Sequence, residues 1–133
     1  MTVKHVTWGG TTSAGGVATD DSPPITGEIL KVLVDGTNLS DSADFDLNPV
    51  HTDVDGVEIL GEDIIDNADV GNAALNEFYP SRAIEDKAGV AELFAGAGEV
   101  VPTLFVVAGA PLRATIVSGG NAVKYSVIVV YRD

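Results

Sequence analysis

The sequence predicts an all-β chain folded as an antiparallel sandwich. Three observations carry that reading. Apolar and polar residues alternate with period two through the last third of the chain. Fifteen Gly and six Pro are spread along 133 residues as turn punctuation. One short stretch reads as helix, and turn signals recur every eight to twelve residues or so. The length suits a single domain with a sizeable core. At 45% hydrophobic but only 6% aromatic, that core is expected to be built from Val, Ile, Leu and Ala.

Residues 1–24 read as an extended N-terminal arm, and residues 25–133 as the sandwich domain. In the arm, Val3, His5 and Thr7 share one strand face and Lys4, Val6 and Trp8 the other. Residues 9–19 are rich in Gly, Thr, Ser and Ala and hold no G-x-x-x-x-G-K-[ST] phosphate loop. After Ser22-Pro23-Pro24, the run Gly27-Glu-Ile-Leu-Lys-Val-Leu-Val-Asp35 is a strand, nearly continuous in apolar character at its end. Residues 43–47 alternate, with Phe45 and Leu47 inward and Asp44 and Asp46 outward. Asn48-Pro49 reads as a turn or edge element, and residues 54–60 as a strand bent around Asp55-Gly56. Residues 72–78 are the one helical candidate, too short to stand unless packed. Residues 81–85 are able to pair in a sheet, and residues 88–94 read as loop or short strand.

The C-terminal third organises the chain. It reads as three strands, residues 101–108, 112–117 and 122–131. The last two look like a hairpin joined at Ser118-Gly119-Gly120-Asn121. In the last strand Val123, Tyr125, Val127, Val129 and Tyr131 form one apolar face. The other face runs from polar Lys124 to apolar Ile128 and Val130. Seven to nine strands in all fit a jelly-roll-like or immunoglobulin-like sandwich with at most one short helix.

The charge sets limits on function. The net charge is −13, which argues against nucleic acid as a partner, because phosphate contact needs clustered Lys and Arg. The acids concentrate in residues 20–69, where Lys31 is the only base. Residues 101–133 instead carry Arg113, Lys124 and Arg132 against Asp133. No Cys is present, so disulfides and Cys-based zinc sites are excluded. No apolar run reaches membrane-span length, and residues 1–5 lack a signal-peptide core. The expectation is a protein made in a cytoplasm, with no membrane partner.

Catalytic and metal motifs are weak. His51, Asp53, Asp55, Gly56 and Glu62 mimic the spacing of an EF-hand loop. His51 is a poor first ligand, however, Glu58 sits where an apolar residue is usual, and the flanks are strand-like. A looser cation site among Asp41, Asp44, Asp46, Asp53 and Asp55 is weaker still than exposed turn carboxylates. His5 and His51 share no ligand spacing, no serine lies in a nucleophile elbow, and Asp44 with Asp46 is an ordinary pair on a solvated strand. The expectation is a non-enzyme with no cofactor and no metal. Trp8, Tyr79, Tyr125 and Tyr131 would suit a sugar platform, though Tyr125 and Tyr131 sit in a core pattern.

The strand Gly27-Glu-Ile-Leu-Lys-Val-Leu-Val, the segment Ala43-Asp-Phe-Asp-Leu, an irregular middle ending near Pro80, the run Ala110-Pro-Leu-Arg-Ala-Thr-Ile-Val-Ser-Gly-Gly and the closing Val127-Ile-Val-Val-Tyr together resemble the small β-sandwich decoration proteins of tailed-bacteriophage heads. The resemblance spans residues 27–131 and rests on strand and turn patterns, not on catalytic signatures. It implies a cement or head-stabilising protein on the virion exterior that binds the major capsid protein lattice and associates with itself, as a homotrimer. Val3, His5, Val6 and Trp8 of the arm, with Arg113 and Lys124, are the contact residues expected. A tail or connector component and a carbohydrate-binding module are the rival readings.

Overall fold

A computed structural model of the chain describes residues 2–83 and 102–133. Twelve strands run through these residues. They are β1 (Val3–Thr11), β2 (Ala18–Asp21), β3 (Ile25–Asp35), β4 (Asp44–Thr52), β5 (Glu58–Leu60), β6 (Ile65–Asp69), β7 (Asn76–Phe78), β8 (Arg82–Ala83), β9 (Pro102–Thr103), β10 (Val106–Ala110), β11 (Leu112–Val117) and β12 (Lys124–Arg132). Two five-stranded antiparallel sheets pack face to face. Sheet A has the order β1-β12-β3-β10, with β7 also on β3. Sheet B has the order β2-β11-β4-β5, with β6 also on β4. The short β8–β9 ladder is separate from both. The chain is an all-β sandwich, with no helix among the described residues.

The pairing has a simple logic. β1 pairs with β12, β2 with β11 and β3 with β10, so residues 3–35 run antiparallel to residues 106–132. Within β1–β3 and again within β10–β12, successive strands alternate between the sheets. The chain is in effect one long hairpin wrapped around the core, which is jelly-roll topology. Of the two sandwich types the sequence allowed, this is the one found.

The core comes from inward alternation on both sheets. Val32, Val34, Val127 and Val129 of sheet A meet Phe45, Leu47, Leu112 and Ile116 of sheet B, all fully buried. Both the β4 and the β12 alternations therefore point as expected. Tyr125 is buried and Tyr131 partly so.

Several expectations change. β11 and β12 are strands of opposite sheets, so residues 118–123 form an inter-sheet corner and not a hairpin turn. The corner is held from both sides. Gly119 N–H donates to Gly16 O at 2.8 Å, Ser40 N–H to Gly119 O at 3.0 Å and Thr12 Oγ1 to Gly120 O at 2.6 Å. A side chain at Gly119 would press on Ile116 and Thr12 at 2.8 and 2.9 Å. Within the segment read as an arm, residues 3–11 and 18–21 pair into the sandwich. β1 adds nine paired residues to sheet A and β2 four to sheet B. The first C-terminal strand divides into β9 and β10 around Leu104 and Phe105. Residues 76–78 are strand, not helix. Asn72 takes a left-handed φ of 59°, and the Asn76 amide bonds Val34 O at 3.2 Å and Val70 O at 3.1 Å, tying the segment to β3. Asn48-Pro49 is interior to β4, not a turn. The pairing expected for residues 81–85 is met at Arg82 and Ala83, whereas the expectation for residues 88–94 lies outside the described residues.

Candidate interaction surface

The core face of each sheet is explained by packing. The two outer faces differ sharply from one another. On sheet A, strand register places residues in rows across β1, β12 and β3. Thr7, Ile128 and Leu33 form one row, His5, Val130 and Lys31 the next, and Val3, Arg132 and Glu28 a third. Glu77 of β7 extends the first row and Val106 of β10 the third. Ile128, Val130 and Leu33 in the middle are only half-buried, while Val3 is 62% and Val106 71% exposed.

Ion pairs rim this apolar centre. Lys31 Nζ lies 3.1 Å from Glu77 and 5.5 Å from the exposed Tyr79 ring, and Arg132 lies 3.4 Å from Glu28. Lys4 reaches Asp133 at 2.7 Å at the strand ends. Sheet A thus carries Lys4, Lys31, Lys124 and Arg132 against Glu28, Asp35, Glu77 and Asp133, and is close to neutral. An apolar centre within a polar rim is the usual anatomy of a docking face.

Sheet B is the opposite. Its strands and loops hold twelve acids, from Asp20 to Asp69, and a single base, Arg113. Arg113 is committed within the chain. Its Nε and Nη2 donate to the two carboxylate oxygens of Asp21 at 2.8 and 2.9 Å, and Nη2 also reaches Glu58 at 2.8 Å. These bonds hold the guanidinium charged and raise its pKa further, Asp21 contributing most. Asp46, Asp63 and Asp66 bring carboxylate oxygens within 4.8 Å of one another. The Asp66 pKa is raised, chiefly by the charge of Asp63. Asp46 accepts from Asn67 N–H at 2.9 Å and Asp63 from the Asn48 amide at 2.5 Å, so both have structural uses. Asp63 and Asp66 were not among the sequence candidates, because only the β4–β6 register brings them to Asp46.

The remaining motifs resolve into structure. His51 to Glu62 is a β-hairpin and not an EF-hand. β4 and β5 pair His51 with Ile59, and Asp53 Oδ1 caps the turn by accepting from Asp55 and Val57 N–H, each at 2.9 Å. Gly56 supplies the left-handed residue, with φ 81°. The aromatic residues form no common platform. Trp8 Nε1 donates to Asp20 O at 3.0 Å and the Tyr125 hydroxyl to Asp20 Oδ2 at 2.6 Å, closing the β1/β2 edge, while Tyr79 lies exposed just past β7. A depression of about 240 Å³ lined by Asp35, Asn38, Lys124, Tyr125 and Ser126 is shallow and open.

Of the expected contact residues, Val3 and His5 lie exposed on the outer face of sheet A. Lys124 is exposed at the start of β12 and makes no ion pair among the described residues. Val6 and Trp8 are half-buried against the core. Arg113 is on the other sheet. The acidic groups it meets, Asp21 and Glu58, belong to its own chain.

No family model matches the chain, and no curated protein matches it. Among solved structures, the crystal structure of FLHE aligns over 98% of this chain and 98% of its own, at 14% identity and a TM-score of 0.37. A chain of infectious bursal disease virus, Gx strain, aligns over 98% of this chain and 32% of its own, at 12% identity and a TM-score of 0.41. Similarity at this level says nothing of this chain's function.

Proposed function

We propose that this chain is a non-catalytic structural protein of a virion, which docks through the outer face of sheet A and turns sheet B outward. The carrying observation is the contrast between the two faces: sheet A is near-neutral with the apolar centre Ile128, Val130 and Leu33, whereas sheet B sets twelve acids against Arg113. Burying the first face removes apolar area from water, at about 25 cal/mol per Å². Burying the second would desolvate many like charges. The sequence resemblance to bacteriophage decoration proteins supplies the partner, the major capsid protein lattice, and the place, the capsid exterior. An acidic outward surface keeps a crowded particle soluble. The trimeric state of such proteins belongs to the same reading.

The test is binding of the purified chain to expanded capsids that lack it. Ile128→Lys, in the middle of sheet A, is expected to weaken binding at least about a hundredfold, near 2.7 kcal/mol. Asp41→Lys and Asp44→Lys on sheet B are expected to leave binding within about threefold. The reverse pattern, or no binding by the unaltered chain, removes the reading. A tail or connector role would instead show as binding to a tail or portal assembly. A carbohydrate-binding role would show as glycan binding lost in Trp8→Ala.

A further inference from the structure

The β4–β5 hairpin stands away from the sandwich. Ten consecutive residues, 51–60, are exposed. They include Val54, at 102% of its reference exposure, and Val57, Ile59 and Leu60, each more than half exposed. Four large apolar side chains on one projecting hairpin are an unusual display for a chain of charge −13. The hairpin is nevertheless held in place. Asp53 caps its turn, and Glu58 is tied to Arg113, which Asp21 holds in turn. Its charge is negative, with Asp53, Asp55 and Glu58 beside His51 and no Lys or Arg.

The complementary surface lies at the opposite edge of the molecule. The first nineteen residues contain no acid. β1 carries His5 and Lys4, the latter paired with Asp133 of its own chain at 2.7 Å, exposes Val3, and is the edge strand of sheet A along nine residues. Among the described residues nothing pairs with its outer edge, and neither Pro nor a bulge protects it. Such an edge invites a partner. Sheet order places β1 and β2 at one side of the sandwich and β5 at the other.

We infer that the acidic, apolar-tipped β4–β5 hairpin of one copy seats against the β1 edge of the next. The occupant is a second copy of this chain, identified by charge and by apolar complementarity. Two different patches on opposite edges make a heterologous contact, which closes into a ring when the rotation allows. The contact runs edge to edge, so the outer face of sheet A stays free on every copy. It stands apart from the docking reading, because it needs no capsid.

The chain has no Cys, so engineered pairs report cleanly. A copy carrying Val54→Cys, mixed with a copy carrying Thr7→Cys under mild oxidation and without capsids, is expected to give the mixed disulfide dimer as the main product. Thr7→Cys alone is expected to stay uncrosslinked. Self-linking of Thr7→Cys as efficient as the mixed product would overturn the inference in favour of a symmetric β1–β1 pair. So would a purely monomeric unaltered chain at about 100 µM in low salt by native mass spectrometry, since contacts that weak would serve no assembly. Asp55→Lys and Lys4→Glu should each weaken association about tenfold, and together restore it. Absence of that rescue also counts against the contact, with thermal unfolding verifying that each variant is folded. Capsid binding that fails while the mixed disulfide forms rejects the docking reading alone.

Discussion

At the scale of single residues, Asp20 and Tyr125 decide how the β1/β2 edge closes. The Tyr125 hydroxyl donates to Asp20 Oδ2 at 2.6 Å, Trp8 Nε1 takes the Asp20 carbonyl, and Gly10 leaves room for the carboxylate, which a Cβ there would strike. Tyr125→Phe leaves that carboxylate short of a partner and is expected to cost about 1–3 kcal/mol in urea unfolding. Burial first, and Asp20 second, raises the Tyr125 pKa. The folded state therefore holds this proton more tightly than the unfolded one. The contribution is complete below the ordinary tyrosine value, near pH 10, and falls as pH rises beyond it. The unaltered chain should lose stability steeply there, and Tyr125→Phe should lose less. Asp66 has the same sign in the carboxylate range. Its raised pKa means that its ionised form opposes folding, through the charge of Asp63. Asp66→Asn should raise the thermal midpoint at pH 7. The gain should fade on acidification, as the native carboxyl takes up its proton ahead of an unperturbed one. Asp35 and Asp133 have the opposite sign. Their pKa values are lowered, by Thr37 and by Lys4 respectively, so their support is lost on acidification.

At the scale of elements, legibility in the sequence followed the reach of the signal. The inward faces of β4 and β12 were legible because period two is local: Phe45 and Leu47, and Val127 and Val129, are buried where alternation places them. Phe45→Ala should accordingly cost about 3–5 kcal/mol in urea unfolding. The sheet to which a strand belongs was not legible. β11, the Gly119-Gly120 turn and β12 look like a hairpin in sequence. What separates the strands into two sheets is distant, in the hydrogen bonds from Thr12 and Ser40 and in the close fit of Gly119 to Ile116. Asn72-Ala-Ala-Leu-Asn has helix-compatible composition, yet Asn76 bonds carbonyls of β3 and of the preceding loop, and tertiary contact overrides propensity. Of the candidate surface, Val3 and His5 were legible as strand residues. The apolar centre of sheet A was half legible, since Ile128 and Val130 read as the apolar end of the second face of the last strand. The exposed hairpin was not, because Val54, Val57 and Ile59 read as strand residues like any others and only the packing leaves them uncovered.

At the scale of the whole molecule, electrostatics and burial pull apart. Nearly all the excess charge lies on one side of a two-layer body. Carboxylates on sheet B repel one another across a screening distance of about 10 Å at 0.1 M salt. Part of the folding free energy is spent holding them together, and salt relieves it. The thermal midpoint is therefore expected to rise between about 10 and 150 mM NaCl at pH 7. Neutralising Asp41, Asp44 and Asp55, whose carboxylates accept no hydrogen bond among the described residues, should raise the low-salt unfolding free energy, by no more than about 0.5 kcal/mol per site, and flatten the salt dependence. The same three substitutions separate the two surfaces. Docking by sheet A rests on Ile128, Val130 and Leu33 within a neutral rim, so it should be nearly indifferent both to salt and to these changes. The hairpin contact rests partly on Asp55 opposite Lys4, so it should weaken with salt and in the triple variant. Docking that fell with salt in parallel with folding relief would place the acidic sheet, not the apolar one, against the partner.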